Sequence, residues 1–264
     1  MDIFLNEKKI SVKEGITATE IRDKYDKNCD IIIVNGYPLE NKILQENDKV
    51  VLIQKGKKPT LEEYESLLTA RHTPNLHKSL KKGIVAILGL GGLGSNVASS
   101  LARIGIGKLI LADFDIVEPS NLNRQNYFIN DIGKFKTEAT KENIEKINPF
   151  VDIELVNEKI TKENMNIFSE ADIIVEAFDN PNCKAEISNY VLIHMRDKYL
   201  IASSGMAGYY DSNIIQTKKI RDKFYICGDF VNEAKEGDGL MAPRVSICAN
   251  HMANKVVQIL ANGE

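Results

Sequence analysis

The sequence predicts an α/β protein: a doubly wound, mainly parallel sheet with added antiparallel strands, preceded by a small strand-rich module. Three observations carry this. From Gly83 to Ser203, short apolar runs alternate with stretches of helical spacing, the order of parallel strands joined by crossover helices. The first run, residues 84–88, is wholly apolar, as a strand buried on both faces requires, and opens directly into a glycine-rich loop. Residues 1–55 instead hold short β-branched runs separated by turns.

In that N-terminal stretch, residues 2–6 and 9–12 alternate around Asn6-Glu7-Lys8 and predict a hairpin. Residues 17–25 place Ala18, Ile21 and Tyr25 at helical spacing. Residues 30–34 form a strand stopped by Asn35-Gly36, and residues 49–53 form another. Strand–strand–helix–strand–strand is the order of a β-grasp module. Lys55-Gly56-Lys57-Lys58-Pro59 then breaks the pattern. Thr60, with Glu63 three residues on, caps a helix to residue 68, and Thr73-Pro74 opens a second towards Gly83. The domains expected are 1–56, a helical linker at 57–82, and 83–264.

In the larger part, a helix ending at Arg103 follows the glycines, and residues 108–112 form the next strand. Helices at 134–147, 161–170 and 181–195 alternate with strands at 151–156, 172–177 and 199–203. Beyond Gly208 the rhythm is lost. Residues 212–217 and 223–227 predict the added antiparallel strands, 233–239 a polar loop, and 243–260 a C-terminal helix.

Composition mainly excludes. Among 264 residues, 34 Lys and Arg against 37 Asp and Glu give a net charge of −3, which argues against a nucleic-acid or anionic-membrane partner. With 43% hydrophobic residues the chain is too apolar for disorder, yet no apolar run is long enough for a membrane span. The N-terminus lacks the plan of a secretory signal, so a cytoplasmic protein is expected. Cys29, Cys183, Cys227 and Cys248 make no CxxC pair, and the four histidines show no ligand spacing.

Gly89-Leu90-Gly91-Gly92-Leu93-Gly94 matches G-x-G-x-x-G between a predicted strand and helix, and Asp113 ends the next strand about 20 residues on. Glycines at 89, 91, 92 and 94 let backbone approach a phosphate at the helix N-terminus, while the acid suits ribose hydroxyls. This predicts nucleotide binding and leaves NAD and ATP both open.

The segment Asp113-Phe114-Asp115-Ile116-Val117-Glu118-Pro119-Ser120-Asn121-Leu122-Asn123-Arg124-Gln125 separates the two, since a dehydrogenase has no need of such an Arg-bearing loop. With the glycine loop, Gly133-Lys134-Phe135-Lys136 and Ala177-Phe178-Asp179-Asn180, it resembles the adenylating enzymes that activate ubiquitin-like proteins and sulfur carriers (the ubiquitin-activating enzyme/ThiF/MoeB superfamily). The resemblance spans about residues 70–262. It is strongest to the ThiF-type branch, through Arg71-His72-Thr73-Pro74, Cys227-Gly228-Asp229 and residues 239–244. The N-terminal module is similar to the sulfur carrier ThiS in Val34-Asn35-Gly36-Tyr37 and residues 47–53.

This resemblance implies a Rossmann-like fold with a ubiquitin-like module, and transfer of AMP from ATP to the C-terminal carboxylate of a ThiS-like carrier for the thiazole of thiamine. It implies that Asp113 holds ribose, that Arg124 and Lys136 neutralise phosphate charge with Asn121 as a neutral donor, and that Asp179 binds Mg²⁺. Arg71 is the candidate for the arginine that reaches the ATP of a neighbouring subunit, which implies a homodimer. Cys227 is the best-placed thiol for a sulfur-transfer step with a cysteine-desulfurase-type donor; a small buried hydrophobe reads equally well. No zinc is expected, because the paired CxxC of relatives is missing. The module ends Gln54-Lys55-Gly56 without a diglycine and runs into the enzyme, so the carrier substrate is a separate protein ending in Gly-Gly. Packing, dimer support or a docking mimic remain as its roles. Open alternatives are the same chemistry on a molybdopterin-type carrier or tRNA-bound carboxylate, an NAD-dependent oxidoreductase, and a non-catalytic nucleotide-binding regulator.

Overall fold

The computed structural model describes residues 1–39 and 41–263 and divides into two compact units, Met1–His77 and Lys78–Glu264. The first holds β1 (Asp2–Leu5), β2 (Lys8–Ser11), α1 (Ala18–Tyr25), β3 (Ile31–Val34), β4 (Tyr37–Pro38), β5 (Lys49–Ile53) and α2 (Leu61–His72). Asn6 and Glu7 both have positive φ, the turn that matches strand twist in a two-residue hairpin. Thr17 and Glu20 form a capping box at the start of α1, and Thr60 and Glu63 another at α2. The strand order is β2-β1-β5-β3-β4, with β1 and β5 parallel at the centre and the other pairs antiparallel. Ile3, Ile21, Val34 and Val50 are fully buried between sheet and α1. The two-residue β4 is too short to leave a sequence pattern.

Further along the chain come α3 (Pro74–Lys82), β6 (Ile84–Leu88), α4 (Gly92–Arg103), β7 (Lys108–Ala112), α5 (Lys136–Ile147), β8 (Asp152–Val156), β9 (Ile173–Glu176), α6 (Pro181–His194), β10 (Tyr199–Ser203), β11 (Gln216–Arg221), β12 (Phe224–Gly228) and α7 (Ala242–Asn262). The sheet order is β11-β12-β10-β9-β6-β7-β8, parallel throughout except for β11. Along β6, Val85 and Ile87 pack with residues of α4 and α7, while Ala86 and Leu88 pack with Ile187 and Val191 of α6. One layer of helices therefore covers each face, as the apolar strand required. Among the described residues no helix is long and apolar enough to cross a membrane.

Two elements depart from the sequence prediction. The helix expected over 161–170 is only a 3-10 turn, Met165–Phe168. The Asn164 side chain accepts the Thr161 N–H and donates to the Lys159 carbonyl oxygen, and these local bonds compete with a helix start. Met165 and Phe168 still anchor the turn in the core. The strand expected over 212–217 begins only at Gln216, after a 3-10 turn that the Asp211 side chain caps. Its partner β12 runs parallel to β10, so β11 alone is antiparallel. The chain passes the slot beside β10, lays β11 on the outer edge, and returns through Asp222-Lys223 to fill the slot.

Candidate functional site

Sequential strands β6, β7 and β8 run one way from the sheet centre, and β9, β10 and β12 the other. The reversal lies between β6 and β9, and a doubly wound sheet opens a crevice at the carboxyl ends of such a pair. A pocket of 490 Å³ occupies that place, lined from β6 by Gly89 and from β9 by Ala177, Phe178 and Asp179. Gly89 has φ +90°, and a Cβ there would stand 3.0 Å from the Ala177 carbonyl oxygen. Gly94 lies beneath the pocket; a Cβ on it would meet the Gly89 carbonyl oxygen at 1.8 Å. Only glycine lets α4 begin this close to the strand. Gly91 and Gly92 line the floor, where the unpaired N–H groups of the α4 N-terminus attract an anion.

Asp113, just past β7, lines the pocket and is buried. Its two carboxylate oxygens accept the Leu90 N–H at 2.6 Å and the Asp115 N–H at 2.8 Å. Burial raises its carboxyl above the usual range, opposed chiefly by the charge of Lys136. Lys136, at the N-terminus of α5, is 7% exposed and donates from Nζ to Asp115 Oδ2 at 2.8 Å. Arg124 follows a 3-10 turn, Pro119–Asn123, and reaches the same pocket. The Asn96 side chain secures its backbone, donating to the carbonyl oxygens of Gly92 and Arg124. Across the opening, the Asn180 side chain caps α6 by accepting the N–H groups of Asn182 and Cys183. Asp179 beside it is exposed at the rim, with no hydrogen-bond partner among the described residues. A helix N-terminus, two cations (Lys136 on Asp115, and Arg124 with Nη1 on Asn123 Oδ1) and the Asp179 carboxylate thus line one pocket. This is chemistry suited to a polyphosphate.

Residues 64–264 match the ThiF family, and residues 1–56 match the ThiS-like ubiquitin family. The chain belongs to the ThiF family. It is 34% identical over 140 residues to the tRNA threonylcarbamoyladenosine dehydratase of Haemophilus influenzae, covering 52% of each chain. It is 28% identical over 186 residues to the sulfur carrier protein ThiS adenylyltransferase of Escherichia coli, covering 68% of this chain and 73% of that one. Against the Caenorhabditis elegans ubiquitin-like modifier-activating enzyme 5 it is 44% identical over 95 residues, 36% of this chain and 23% of the relative. The chain thus spans about half the length, or less, of several relatives it matches. In fold it is similar to the E. coli dehydratase TcdA crystallised with AMP: TM-score 0.66 at 21% identity, over 73% of this chain and 92% of that one.

Within this ThiF-family pocket the structure gathers Gly89, Gly91, Gly92, Asp113, Arg124, Lys136 and Asp179. Gly94 lies beneath it, and three further residues singled out from the sequence do not line it. Asn121, proposed as a phosphate donor, is buried with its side chain turned onto its own loop; Oδ1 accepts the Glu118 N–H and Nδ2 points to Ser120 Oγ. Arg71 is exposed in the last turn of α2, in the first unit, beside a groove that includes Thr73 and His77. Cys227, read as the best-placed thiol, is fully buried in the core and lines no part of the pocket. Burial pushes its thiol up to about 11, and Thr217 Oγ1 lies 3.4 Å away. A protonated thiol without access is no nucleophile, which corrects that expectation in favour of the small buried hydrophobe.

Sequence reasoning missed Lys184 and Ser203, which line the pocket, and the support behind the loop at 229–234. There Asp229 accepts N–H groups of Val231 and Asn232, the Asn232 side-chain amide, and a guanidinium N–H of buried Arg244. Arg244 is 2% exposed and sits in the first turn of α7. Lys184 follows Glu176 by eight positions, a spacing with no periodic signal, so only the folded strand-to-helix turn brings them together. Among the described residues no group of three or more His, Cys, Asp or Glu is arranged to hold a metal ion.

Proposed function

We propose that this chain is an ATP-dependent adenylyltransferase. Its substrate is the C-terminal carboxylate of a separate ThiS-like sulfur carrier ending in Gly-Gly, activated on the way to the thiazole of thiamine. The observation that carries the reading is the meeting of the α4 N-terminus, Arg124 and Lys136 on one side of the switch-point pocket with Asp179 on the other. Support for the acceptor comes from the ThiS-like ubiquitin match at residues 1–56 and the likeness to the E. coli ThiS adenylyltransferase.

In this reading Asp113 accepts a ribose hydroxyl with the lone pairs that Leu90 and Asp115 leave free. The backbone of Gly91 and Gly92 receives the phosphates. A carrier carboxylate oxygen attacks the α-phosphorus, the bond to the bridging oxygen breaks, and pyrophosphate leaves with the electron pair. Charge accumulates on the departing oxygens, where Arg124 and Lys136 oppose it, so these residues act by charge and position and no general base is needed. Asp115 keeps Lys136 extended towards the pocket, through the 2.8 Å bond, until the phosphates compete for it. Asp179, an exposed carboxylate lining the pocket and unpartnered among the described residues, fits Mg²⁺, which takes one or two carboxylates together with substrate phosphates. The ion would screen the phosphates from the incoming carboxylate.

The same reading takes residues 1–56 as the ThiS-like module, 57–82 as a linker and 83–264 as the catalytic domain. It expects a cytoplasmic homodimer in which Arg71 serves the partner's nucleotide, with a cysteine-desulfurase-type sulfur donor downstream. A second reading, a tRNA-bound carboxylate as acceptor, is favoured by the 34% identity to the Haemophilus dehydratase. ATP–pyrophosphate exchange separates the two. Exchange that requires a diglycine-ended carrier supports the first, exchange that requires tRNA supports the second, and tight NADH binding without exchange rejects both.

A further inference from the structure

Lys184, one turn into α6, lines the pocket and donates from Nζ to three acceptors. They are Glu176 Oε1 at 3.0 Å, the Phe178 carbonyl oxygen at 2.9 Å and Ser203 Oγ at 3.0 Å. Glu176 Oε1 in turn accepts the Phe178 N–H at 2.8 Å. The Phe178 backbone is therefore held at both ends, by the acid at the N–H of the Ala177–Phe178 peptide and by the ammonium at the carbonyl of the Phe178–Asp179 peptide. The next residue is Asp179. Glu176 closes β9 and is fully buried, with Oε2 unpartnered among the described residues. Burying such a pair is costly in desolvation, and apolar residues of similar volume would serve packing at least as well. Its geometry suggests a different use. Lys184 ties the turn after β9 to the end of β10, and these two segments form adjacent walls of the pocket.

We infer that Lys184, seated on Glu176, is a positioning residue for the reaction: it fixes the Phe178 backbone and thereby holds the Asp179 carboxylate where a divalent cation meets the nucleotide phosphates. This rests on the reading of Asp179 as the magnesium ligand. Arginine at 184 retains a cation able to reach carboxylate, carbonyl and hydroxyl, whereas methionine retains only the volume.

The test is calorimetric binding of ATP to the full chain over a Mg²⁺ titration and in EDTA. It compares the wild type with Lys184→Met, Lys184→Arg and Asp179→Asn. Removing a group that orients a metal ligand weakens metal binding roughly 10-fold or more, so Lys184→Met should need about tenfold more Mg²⁺ for the same ATP affinity. Its affinity in EDTA should match the wild type, and Lys184→Arg should restore the wild-type Mg²⁺ dependence. If Lys184→Met fails to fold because Glu176 is left unpaired, the double variant Glu176→Gln/Lys184→Met is read in its place. An unchanged Mg²⁺ dependence in Lys184→Met, with a shifted one in Asp179→Asn, overturns the positioning role and leaves Asp179 as ligand. An unchanged dependence in both rejects the metal reading and this inference with it. Equal loss of ATP affinity with and without Mg²⁺ also overturns the inference, because that is what a merely structural residue would give.

Discussion

Lys136 and Asp115 are joined twice: Nζ of the lysine meets Oδ2 of the aspartate at 2.8 Å, and the Lys136 N–H donates to the Asp115 carbonyl oxygen at 2.9 Å. The backbone bond aligns the start of α5 with the loop after β7, so the ammonium approaches the pocket already oriented. Replacing Lys136 with Ala should lower the pyrophosphate-exchange rate at saturating ATP by about 10²–10³, the usual cost of one preorganised charge. Asp115→Asn keeps the backbone bond and should cost far less. Steady-state exchange kinetics for both variants check this, and equal losses would contradict it.

Gly94→Ala probes the approach of α4 to β6. The added Cβ meets backbone, the Gly89 carbonyl oxygen, which cannot rotate away. A loss of roughly 3 kcal/mol in urea unfolding is expected, at the upper end for overpacking, with nucleotide affinity lost in parallel. Gly133→Ala is a useful contrast. Gly133 has positive φ but open space around its Cβ direction, so strain of about 1 kcal/mol should appear without loss of binding.

Cys227→Ala should leave adenylate formation unchanged and lower stability by about 1–2 kcal/mol, as for a small buried side chain. Burial holds the thiol protonated up to about pH 11, above its ordinary value of 9.0. Its alkylation in the native protein should therefore stay slow and flat between pH 7 and 9. The folded state gains from the neutral form, so this contribution is intact below the unfolded value and fades as pH rises through 9 towards 11. Mass-spectrometric mapping of iodoacetamide labelling reads the rate. Rapid labelling of Cys227 at neutral pH would contradict its burial.

Asp229 and Arg244 form a buried pair behind the pocket loop, 0% and 3% exposed in their side chains. Burial opposes ionisation of Asp229, but N–H donors from Asn232 and Val231 and the Arg244 guanidinium outweigh it and hold the carboxyl below its ordinary value. Its contribution is thus present above the unfolded carboxylate range and lost as pH falls below that range. Arg244→Met leaves the acid buried with one donor fewer and should cost about 3–5 kcal/mol at neutral pH. Urea midpoints of wild type and variant, measured from pH 7 downward, should converge in acid. A constant gap would contradict the assignment.

Much of this was readable beforehand because it rests on local rules. Ala18, Ile21 and Tyr25 announce α1 by their spacing, Thr60 announces α2 by its capping box, residues 84–88 announce a strand buried on both faces, and Gly89 to Gly94 announce a strand-to-helix turn. The misreadings arose where local bonds or topology decided. Asn164 turned a predicted helix into a 3-10 turn, and β12 took its parallel place because of a chain path that no residue pattern encodes. Cys227 has the same composition around it whether buried or exposed; only its register beside Ser203 in the sheet puts it in the core. Lys184 shows the converse, since its partners Glu176, Phe178 and Ser203 come from two strand ends that are adjacent only after folding.

The most direct test of the central claim is a mass spectrum of a diglycine-ended ThiS-like carrier after incubation with this protein, ATP and Mg²⁺. The account predicts a carrier species heavier by one AMP as a mixed anhydride, pyrophosphate formed with it, and neither product when Asp179 is replaced by Ala. An unmodified carrier with no pyrophosphate released, under conditions where the protein binds ATP, would contradict it.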